Sequence, residues 1–177
     1  MIFRLSSWGK QSPNWRSGNL KRRKIHLILF MKFQQIAYGS PAYHKALLLR
    51  DVVLREPLGL ALKDDDLSQE ASQWHFGLFD GDYLIASVIA APKSKELIQL
   101  RQMAVSGQFQ GQGCGRKLVE MLEKNLRGKG FQKIILHARI QVFEFYIRLG
   151  YIPLGEPFVE VGIPHQRMQK TISQPRS

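Results

Sequence analysis

The chain has 177 residues, 26 of them basic and 14 acidic, and a formal net charge of +12. This length suits one domain with a single hydrophobic core, and no apolar run approaches the roughly 20 residues of a membrane-spanning helix. The single cysteine, Cys114, excludes an internal disulfide and fits a reducing compartment. We therefore expect a cytoplasmic protein with no membrane partner.

The first 30 residues hold much of the basic excess. They carry seven basic side chains and no acidic one, which leaves 19 basic and 14 acidic residues for positions 31–177. Such a segment is typical of an arm that contacts nucleic acid or a membrane surface. It lacks a helical apolar stripe and regularly spaced aromatic residues, so an unstructured extension is favoured over a nucleic-acid arm. We assign residues 1–30 to this extension and 31–177 to one folded domain.

In chain order, the first half predicts a strand, a helix and a hairpin. Ser40 and Pro41 supply an N-cap and a favourable first residue for the helix, and Pro57 stops it. The Asp-Gly-Asp sequence at 80–82 is a strong hairpin signal between two alternating apolar segments. The predicted elements are a strand at 32–37, a helix at 42–54, a short helix within 63–72, and strands at 73–79 and 83–91.

The second half predicts strand–helix–strand units. A buried strand at 96–105 precedes a glycine-rich loop, and the helix after the loop places Leu118, Val119 and Leu122 on one face. Antiparallel strands followed by such units predict a mixed α/β sandwich with a central sheet. The remaining predicted elements are a helix at 116–127, a strand at 133–138, a helix at 141–149 and two final strands.

The loop at 110–115, of sequence QGQGCG, is the most informative feature of the chain. A strand that enters a glycine-rich turn and then a helix leaves several backbone N–H groups unpaired at the positive end of the helix dipole. This arrangement binds phosphate or diphosphate. Spacing excludes two nucleotide sites, because the chain has no Gly-Lys-Ser or Gly-Lys-Thr and the strand at 133–138 ends without the acidic residue of a dinucleotide site.

Several ordered segments resemble the GNAT superfamily of N-acetyltransferases. The loop at 110–115 matches its Q/R-x-x-G-x-G/A signature, and 100–105 resembles the strand before it. Residues 143–151 resemble the later F-Y-x-x-x-G-F/Y segment, and 158–168 resemble the tail of one bacterial subgroup of uncertain substrate. The resemblance covers 31–171 and implies a GNAT-like fold, with a central, mostly antiparallel twisted sheet flanked by helices on both faces.

The resemblance implies acetyl-CoA as co-substrate and no metal. The loop would bind the diphosphate through main-chain N–H groups, and the end of the preceding strand, which splays from its neighbour in this family, would polarise the thioester carbonyl. The acidic run at 64–66 is interpreted as a solvated helix start, because no second ligand group stands nearby. The expected cofactor-binding residues are Met103, Ala104, Val105, Gln110, Gly111, Gln112, Gly113, Cys114, Gly115 and Arg116.

Two side chains are the expected catalytic groups. Tyr146 occupies the family's tyrosine position and would protonate the departing thiolate, the alternative being an aromatic side chain packed at the base of the cleft. Glu160 is the expected general base. Cys114 is not expected to act as a nucleophile, because no His or Asp triad order points to it. The alternative bases are His165, His137, His75 and Glu70.

The sequence therefore predicts an N-acetyltransferase that transfers an acetyl group from acetyl-CoA to a primary amine of a small molecule or protein by direct attack. The alternative is a non-catalytic module on the same fold that senses CoA or associates with nucleic acid. Acidic side chains in the acceptor half permit a cationic amine, and Arg50, Arg55 and Arg101 permit an anionic amino compound equally. The C-terminal strands often mediate pairing in this superfamily, which leaves a homodimer open.

Overall fold

The computed structural model describes residues 31–172, so the predicted extension at 1–30 lies outside the described residues. The strands are β1 (Lys32–Ile36), β2 (Trp74–Asp80), β3 (Tyr83–Pro92), β4 (Leu97–Val105), β5 (Lys133–Arg139), β6 (Ile152–Pro153), β7 (Phe158–Glu160) and β8 (Ile163–Thr171), and the α-helices are α1 (Pro41–Arg50), α2 (Cys114–Gly128) and α3 (Phe143–Ile147). No helix of this part of the chain is long and apolar enough to cross a bilayer.

The strands form one sheet in the order β1-β2-β3-β4-β5-β8-β6, and β7 pairs with β8. Among the described strands only β4 and β5 run parallel, and the other pairs are antiparallel. A helix crossover connects the parallel pair, as this geometry requires. The predicted fold class, a mixed α/β fold with a mostly antiparallel central sheet, is confirmed.

Helix α1 begins as predicted, and a π-helical turn forms its last predicted turn. Ser40 Oγ accepts a hydrogen bond from the N–H of Tyr43 at 3.2 Å, which is the expected N-cap. The α-helix ends at Arg50, and the chain continues as a π-helical turn at Asp51–Arg55 and a 3-10 turn. The residues stay helical through Arg55, so the predicted extent to position 54 is matched, although the last turn is π-helical instead of α-helical. Pro57, which lacks an N–H, lies in the 3-10 turn that follows.

The elements after β5 are also more irregular than predicted. The helix expected at 141–149 is an α-helix only over α3, and a 3-10 turn at Ile140–Val142 precedes it. The sequence predicted two final strands, and the structure has three, β6, β7 and β8. Strands β7 and β8 form a hairpin, and its turn residues Val161 and Gly162 have φ of 51° and 69°. This hairpin folds Glu160 back toward β5, which is the neighbour of β8 in the sheet.

Two hydrophobic clusters cover the two faces of the sheet. Neighbouring residues such as Leu84 and Ile85 belong to different clusters, because successive side chains of a strand point to opposite faces. Tyr43 and Ala46 of α1 pack in the smaller cluster. Burial of each leucine or valine in the larger cluster contributes about 1.5–3 kcal/mol. The predicted apolar face of α2 is confirmed, since its fully buried residues are Leu118, Val119, Leu122 and Leu126.

A V-shaped gap opens between β4 and β5. Their pairing begins at Leu97 with Lys133 and ends at Leu100 with Leu136, although β4 continues to Val105 and β5 continues to Arg139. Beyond the last pair, the facing edges of the two strands do not hydrogen-bond to each other. The splay that the family resemblance implied is therefore present, and it joins one face of the sheet to the other.

Candidate active site

A β-bulge at Gln102 shapes the β4 edge of the gap. Ser87 of β3 pairs with Ala104 of β4, and Ile89 pairs with Arg101. The chain therefore advances three residues along β4 while it advances two along β3, which leaves one extra residue in β4. Gln102 has φ of 47°, in the left-handed region that costs a non-glycine residue about 1–2 kcal/mol. A bulge inserts one residue and shifts every later side chain to the other face.

The bulge turns two side chains into the gap. Before it, Ile98 and Leu100 belong to the larger hydrophobic cluster, beside α2. After the bulge, the odd-numbered residues Met103 and Val105 pack against that cluster. In a strand without a bulge, the even-numbered side chains would continue on this face. Met103 and Val105 consequently line the cleft, as expected from the sequence, while Gln102 is directed toward α1.

A buried polar network holds Gln102 in place. Arg50 Nε donates to Gln102 Oε1 at 2.7 Å, and the Arg50 guanidinium forms two further hydrogen bonds with the carboxylate of Glu70 at 2.6 and 3.0 Å. The Tyr43 hydroxyl donates to the same carboxylate at 2.9 Å. Burial and the Glu70 hydrogen bond raise the pKa of Tyr43 above its usual range. Arg50 and Glu70 are almost fully buried, so the network fixes the bulge from within the protein.

The same network determines the position of two alternative bases. Glu70 is paired with Arg50, and His75 Nε2 lies 2.9 Å from the carbonyl oxygen of Glu70. Both side chains are buried, and neither lines the cleft. The structure therefore places these two alternative bases, Glu70 and His75, in the network behind the β4 bulge and outside the cleft.

The glycine-rich loop is tied to β4 and opens α2. Gln110 Nε2 donates to the carbonyl oxygen of Val105 at 2.9 Å, which fixes the start of the loop against the bulged strand. Gly111 and Gly113 have φ of 68° and 86°, a conformation that glycine adopts without steric cost. Gly113 is the N-cap of α2 and provides no side-chain cap, so the first turn of the helix keeps its N–H groups available.

The N–H groups of this turn lack acceptors within residues 31–172. The first hydrogen bond of the helix joins the Lys117 N–H to the carbonyl oxygen of Gly113 at 3.0 Å. None of the N–H groups from Gln112 to Arg116 donates to a described backbone or side-chain acceptor. They lie at the positive end of a 15-residue helix, where an anion is stabilised.

Two residues of the loop have packing roles in addition. A Cβ on Gly115 would lie 3.2 Å from Met103 Cε and 3.4 Å from Phe145 Cζ, so this glycine allows the helix start to approach the cleft wall. The Cys114 thiol is buried 4.0 Å from Met31 Sδ, and burial raises its pKa. A buried thiol of raised pKa is a poor nucleophile, as expected for this position.

The gap and the loop form one cleft of about 910 Å³. Its wall on one side combines the loop with Met103 and Val105, and its wall on the other side includes the segment after α1, the end of β5 and the β7–β8 hairpin. Seven of the ten predicted cofactor-binding residues line it. The other three do not, because Ala104 is buried, the Gln112 side chain bonds to the Gln108 carbonyl, and the Cys114 thiol points inward.

Tyr146 of α3 lines the cleft. Its side chain is buried, and its hydroxyl donates to Met103 Sδ at 3.5 Å. Burial raises the pKa of this hydroxyl above the ordinary value for tyrosine, so the phenol keeps its proton at neutral pH. A neutral phenol beside Met103 is suited to donate a proton to an anion formed in the gap.

Glu160 reaches the cleft beside a histidine that precedes it by 23 residues. His137 Nδ1 lies 2.8 Å from Glu160 Oε2, and the His137 ring packs edge-on against Phe158 at 4.9 Å. His137 is the first residue of β5 beyond the last β4–β5 pair, so it faces the gap. When Nδ1 donates to the carboxylate, Nε2 carries the lone pair of a base. His165 also lines the cleft, but its Nδ1 contacts the carbonyl oxygen of Ile163 at 2.8 Å.

The acidic run at 64–66 has structural partners. Asp65 forms an ion pair with Arg55 at 2.6 Å, and Asp66 Oδ1 accepts the N–H of Ser68 at 2.9 Å. Across residues 31–172, no group of three His, Cys, Asp or Glu side chains is arranged to hold a metal ion. The run therefore supplies charge and a turn cap to the cleft wall.

Comparison with known proteins agrees with this geometry. A family model described as an acetyltransferase (GNAT) domain matches residues 57–172, which is more than half of the chain. The chain belongs to the GNAT family. It is 34% identical over 110 residues to YitI of Bacillus subtilis, an uncharacterised N-acetyltransferase, and the match covers 58% of this chain and 74% of YitI.

Solved structures confirm the GNAT fold. A Lactobacillus plantarum protein is 25% identical, with a TM-score of 0.73 over 80% of this chain and 98% of its own. A GNAT family acetyltransferase from Elizabethkingia anophelis, solved with acetyl-CoA bound, is 19% identical with a TM-score of 0.59 over 82% of this chain and 99% of its own. The family resemblance and the assignment as an acyltransferase are both confirmed.

Proposed function

We propose that this GNAT enzyme transfers an acetyl group from acetyl-CoA to a primary amine of a small molecule or protein by direct attack. The observation that carries the proposal is the run of N–H groups at the start of α2 that lack acceptors in the described chain. Gly113, Gly115 and Arg116 belong to this run and line the cleft. Their N–H groups bind the diphosphate of acetyl-CoA, since oriented amides at a helix N-terminus favour anions.

The gap between β4 and β5 receives the thioester arm. Its β4 edge beyond Leu100 has no β5 partner, so N–H groups near Met103 and Val105 are available to the thioester carbonyl oxygen. Such a donor stabilises the negative charge that develops on this oxygen, and loss of one donor costs about 3–4 kcal/mol. The bulge at Gln102 sets the direction of these groups, and Arg50 holds the bulge.

Two protons move in the reaction. His137, oriented by Glu160, accepts the proton of the attacking amine, so Glu160 acts through the histidine. The new bond joins the amine nitrogen to the carbonyl carbon, and the carbon–sulfur bond breaks. Tyr146 donates its proton to the leaving sulfur. The products are an N-acetylated amine and CoA, and the donor and base regain their protonation states by exchange with water.

Thiol release and calorimetry test the proposal together. The full chain is titrated with acetyl-CoA, and thiol release is then followed with small amines, peptides with free N-termini, and lysine peptides. We expect saturable acetyl-CoA binding and amine-dependent thiol release. Binding without release for any amine would indicate a CoA-sensing module, and the absence of binding would exclude the enzyme assignment for this cleft and favour the nucleic-acid-associated alternative.

A further inference from the structure

Arg139, the last residue of β5, is a cation of the cleft without a carboxylate partner among residues 31–172. Its Nη2 donates to the carbonyl oxygen of Leu54 at 2.8 Å, and its side chain forms no other hydrogen bond or ion pair with a described residue. A guanidinium has five N–H donors, so four of them are available to a ligand. The side chain is half-buried, and this burial lowers the pKa of Arg139.

A second guanidinium converges on the same carbonyl oxygen. Arg55 Nη1 donates to Leu54 O at 3.3 Å, and its Nε and Nη2 bind the Asp65 carboxylate at 3.1 and 2.6 Å. The positive charge of Arg55 adds to the lowering of the Arg139 pKa. Two cations and one carboxylate therefore meet at this corner, which leaves one positive charge uncompensated by the described protein.

The other acidic groups of the cleft wall do not compensate Arg139. Among the carboxylates that line the cleft, none forms an ion pair with Arg139: Asp65 is paired with Arg55, Glu160 contacts His137, and Asp66 accepts the Ser68 N–H. A half-buried cation is costly when nothing balances its charge, so a ligand anion would be stabilised at this corner.

The position of Arg139 assigns this corner to the acceptor side of the sheet. Ile134, Leu136 and Ala138 belong to the hydrophobic cluster beside α2, so alternation directs His137 and Arg139 to the opposite face. The glycine-rich loop begins α2, whereas Leu54 follows α1. Two residues along a strand span about 7 Å of backbone, so His137 and Arg139 project from neighbouring positions of one face into the same cleft.

We infer that Arg139 binds a carboxylate of the acceptor, so the substrate class is a small primary amine that carries a carboxylate, such as an amino acid. The inference rests on the proposed function, because His137 fixes where the amine lies. The planar fork of a guanidinium matches the two oxygens of a carboxylate, and the Leu54 carbonyl holds this fork from behind.

Matched amines test the inference. Thiol release from acetyl-CoA is measured with amino acids, their amides and aminophosphonates, for the wild type, Arg139→Gln and Arg139→Lys. Arg127→Gln, an exposed residue at the end of α2 and outside the cleft, is the control. We expect wild-type kcat/KM to favour amino acids over amides at least tenfold, because a charge-assisted pair is lost with the amide. The glutamine of Arg139→Gln keeps an N–H donor for the Leu54 carbonyl. Its kcat/KM should fall 10- to 100-fold with amino acids and stay unchanged with amides, and the kcat/KM of Arg139→Lys with amino acids should fall less.

The outcomes separate this inference from the proposed function. Equal turnover of amino acids and amides by the wild type, an equal loss of both in Arg139→Gln, or a preference for aminophosphonates would overturn the carboxylate assignment while acetyl transfer stands. Thermal unfolding with N-acetyl amino acids gives a readout without turnover. We expect stabilisation of the wild type and of Arg127→Gln but not of Arg139→Gln, and unaltered unfolding of the wild type would also overturn the inference. Failure of acetyl-CoA itself to bind would instead reject the proposed function.

Discussion

The two walls of the cleft are built in different ways. From the roles proposed above, we call residues 103–105 and 110–116 the cofactor wall. The cleft-lining residues of segment 53–66, the end of β5 and 158–165 are called the acceptor wall. The cofactor wall is nearly continuous in sequence, and its N–H groups from 112 to 116 lack acceptors within residues 31–172. The acceptor wall joins distant segments, and its functional groups are side chains such as His137 and Arg139.

In the proposed mechanism, diphosphate binding depends on the main chain, whereas the choice of acceptor depends on side chains. Main-chain amides bind a diphosphate whatever the side chains are, so the cofactor wall depends on glycine conformation and on the support of the β4 bulge. The acceptor wall depends on which side chains the sheet brings together. We therefore expect changes to the cofactor wall to alter stability and acetyl-CoA binding, and changes to the acceptor wall to alter turnover and acceptor choice.

The largest expected effect concerns the ion pair behind the cofactor wall. Arg50→Met leaves the buried carboxylate of Glu70 unpaired and releases Gln102, so the free energy of unfolding should fall by about 3–5 kcal/mol in urea denaturation. Arg55→Met breaks the more exposed pair with Asp65 at the acceptor wall and should cost about 1–2 kcal/mol. Equal losses for the two variants would remove the contrast between the walls.

Removal of the Tyr146 hydroxyl should lower kcat about 100-fold through the loss of a general acid. The Kd of acetyl-CoA should stay within about twofold, because the hydroxyl contacts only Met103 Sδ among the described residues. Stopped-flow thiol release and calorimetry of Tyr146→Phe measure both quantities. The control is Tyr151→Phe, a neighbouring buried ring at 5.5 Å that does not line the cleft, and it should keep its kcat. An unchanged rate in Tyr146→Phe would remove this residue from the mechanism.

Two glycines at opposite ends of α2 provide a matched test of the loop. Gly113 and Gly130 have φ of 86° and 92°, so alanine at either position should lower the free energy of unfolding by about 1 kcal/mol. Only Gly113→Ala should weaken acetyl-CoA binding, by about tenfold, because only Gly113 lines the cleft. Similar Kd values for the two variants in calorimetry would contradict a special role for the loop.

The smallest expected effect is at the acceptor wall. Glu160→Gln removes the charge that orients His137, and a half-exposed pair of this kind contributes at most about 1 kcal/mol, or about fivefold in rate. Steady-state thiol release should show the loss in kcat with little change in the Kd of acetyl-CoA. Glu156→Gln, an exposed carboxylate outside the cleft, should keep its full rate. A loss of 100-fold or more in Glu160→Gln would make Glu160 itself the base.

The sequence predicted the parts of the fold that local chemistry determines. The Ser40 cap, the hairpin at 80–82, the apolar face of α2 and the glycine-rich loop all depend on neighbouring residues, and the structure has each of them. The extent of the helical segment before Pro57 also follows from local sequence, whereas its change from α-helix to π-helix at Asp51 does not. Periodicity alone could not locate the bulge, because Gln102 is held by Arg50, a residue 52 positions earlier in the chain.

The acceptor wall was less predictable for the same reason. Glu160 was expected as a base and His137 was an alternative, but their pairing depends on how β7, β8 and β5 lie in register. The place of Arg139 in the cleft was not predicted, because no nearby residue in the sequence indicates that its guanidinium shares the Leu54 carbonyl with Arg55. Two signals were available: alternation along β5 places His137 and Arg139 on one face, and the hairpin turn at 161–162 folds Glu160 back.

The central claim is that main-chain amides at the start of α2 hold the diphosphate of acetyl-CoA. It is tested most directly by following the backbone amide resonances of residues 112–116 while the full chain is titrated with acetyl-CoA, and separately with pantetheine, which lacks the diphosphate. We predict large, saturable shifts of these amides with acetyl-CoA and none with pantetheine. Saturable acetyl-CoA binding that leaves these five resonances unmoved would contradict the account.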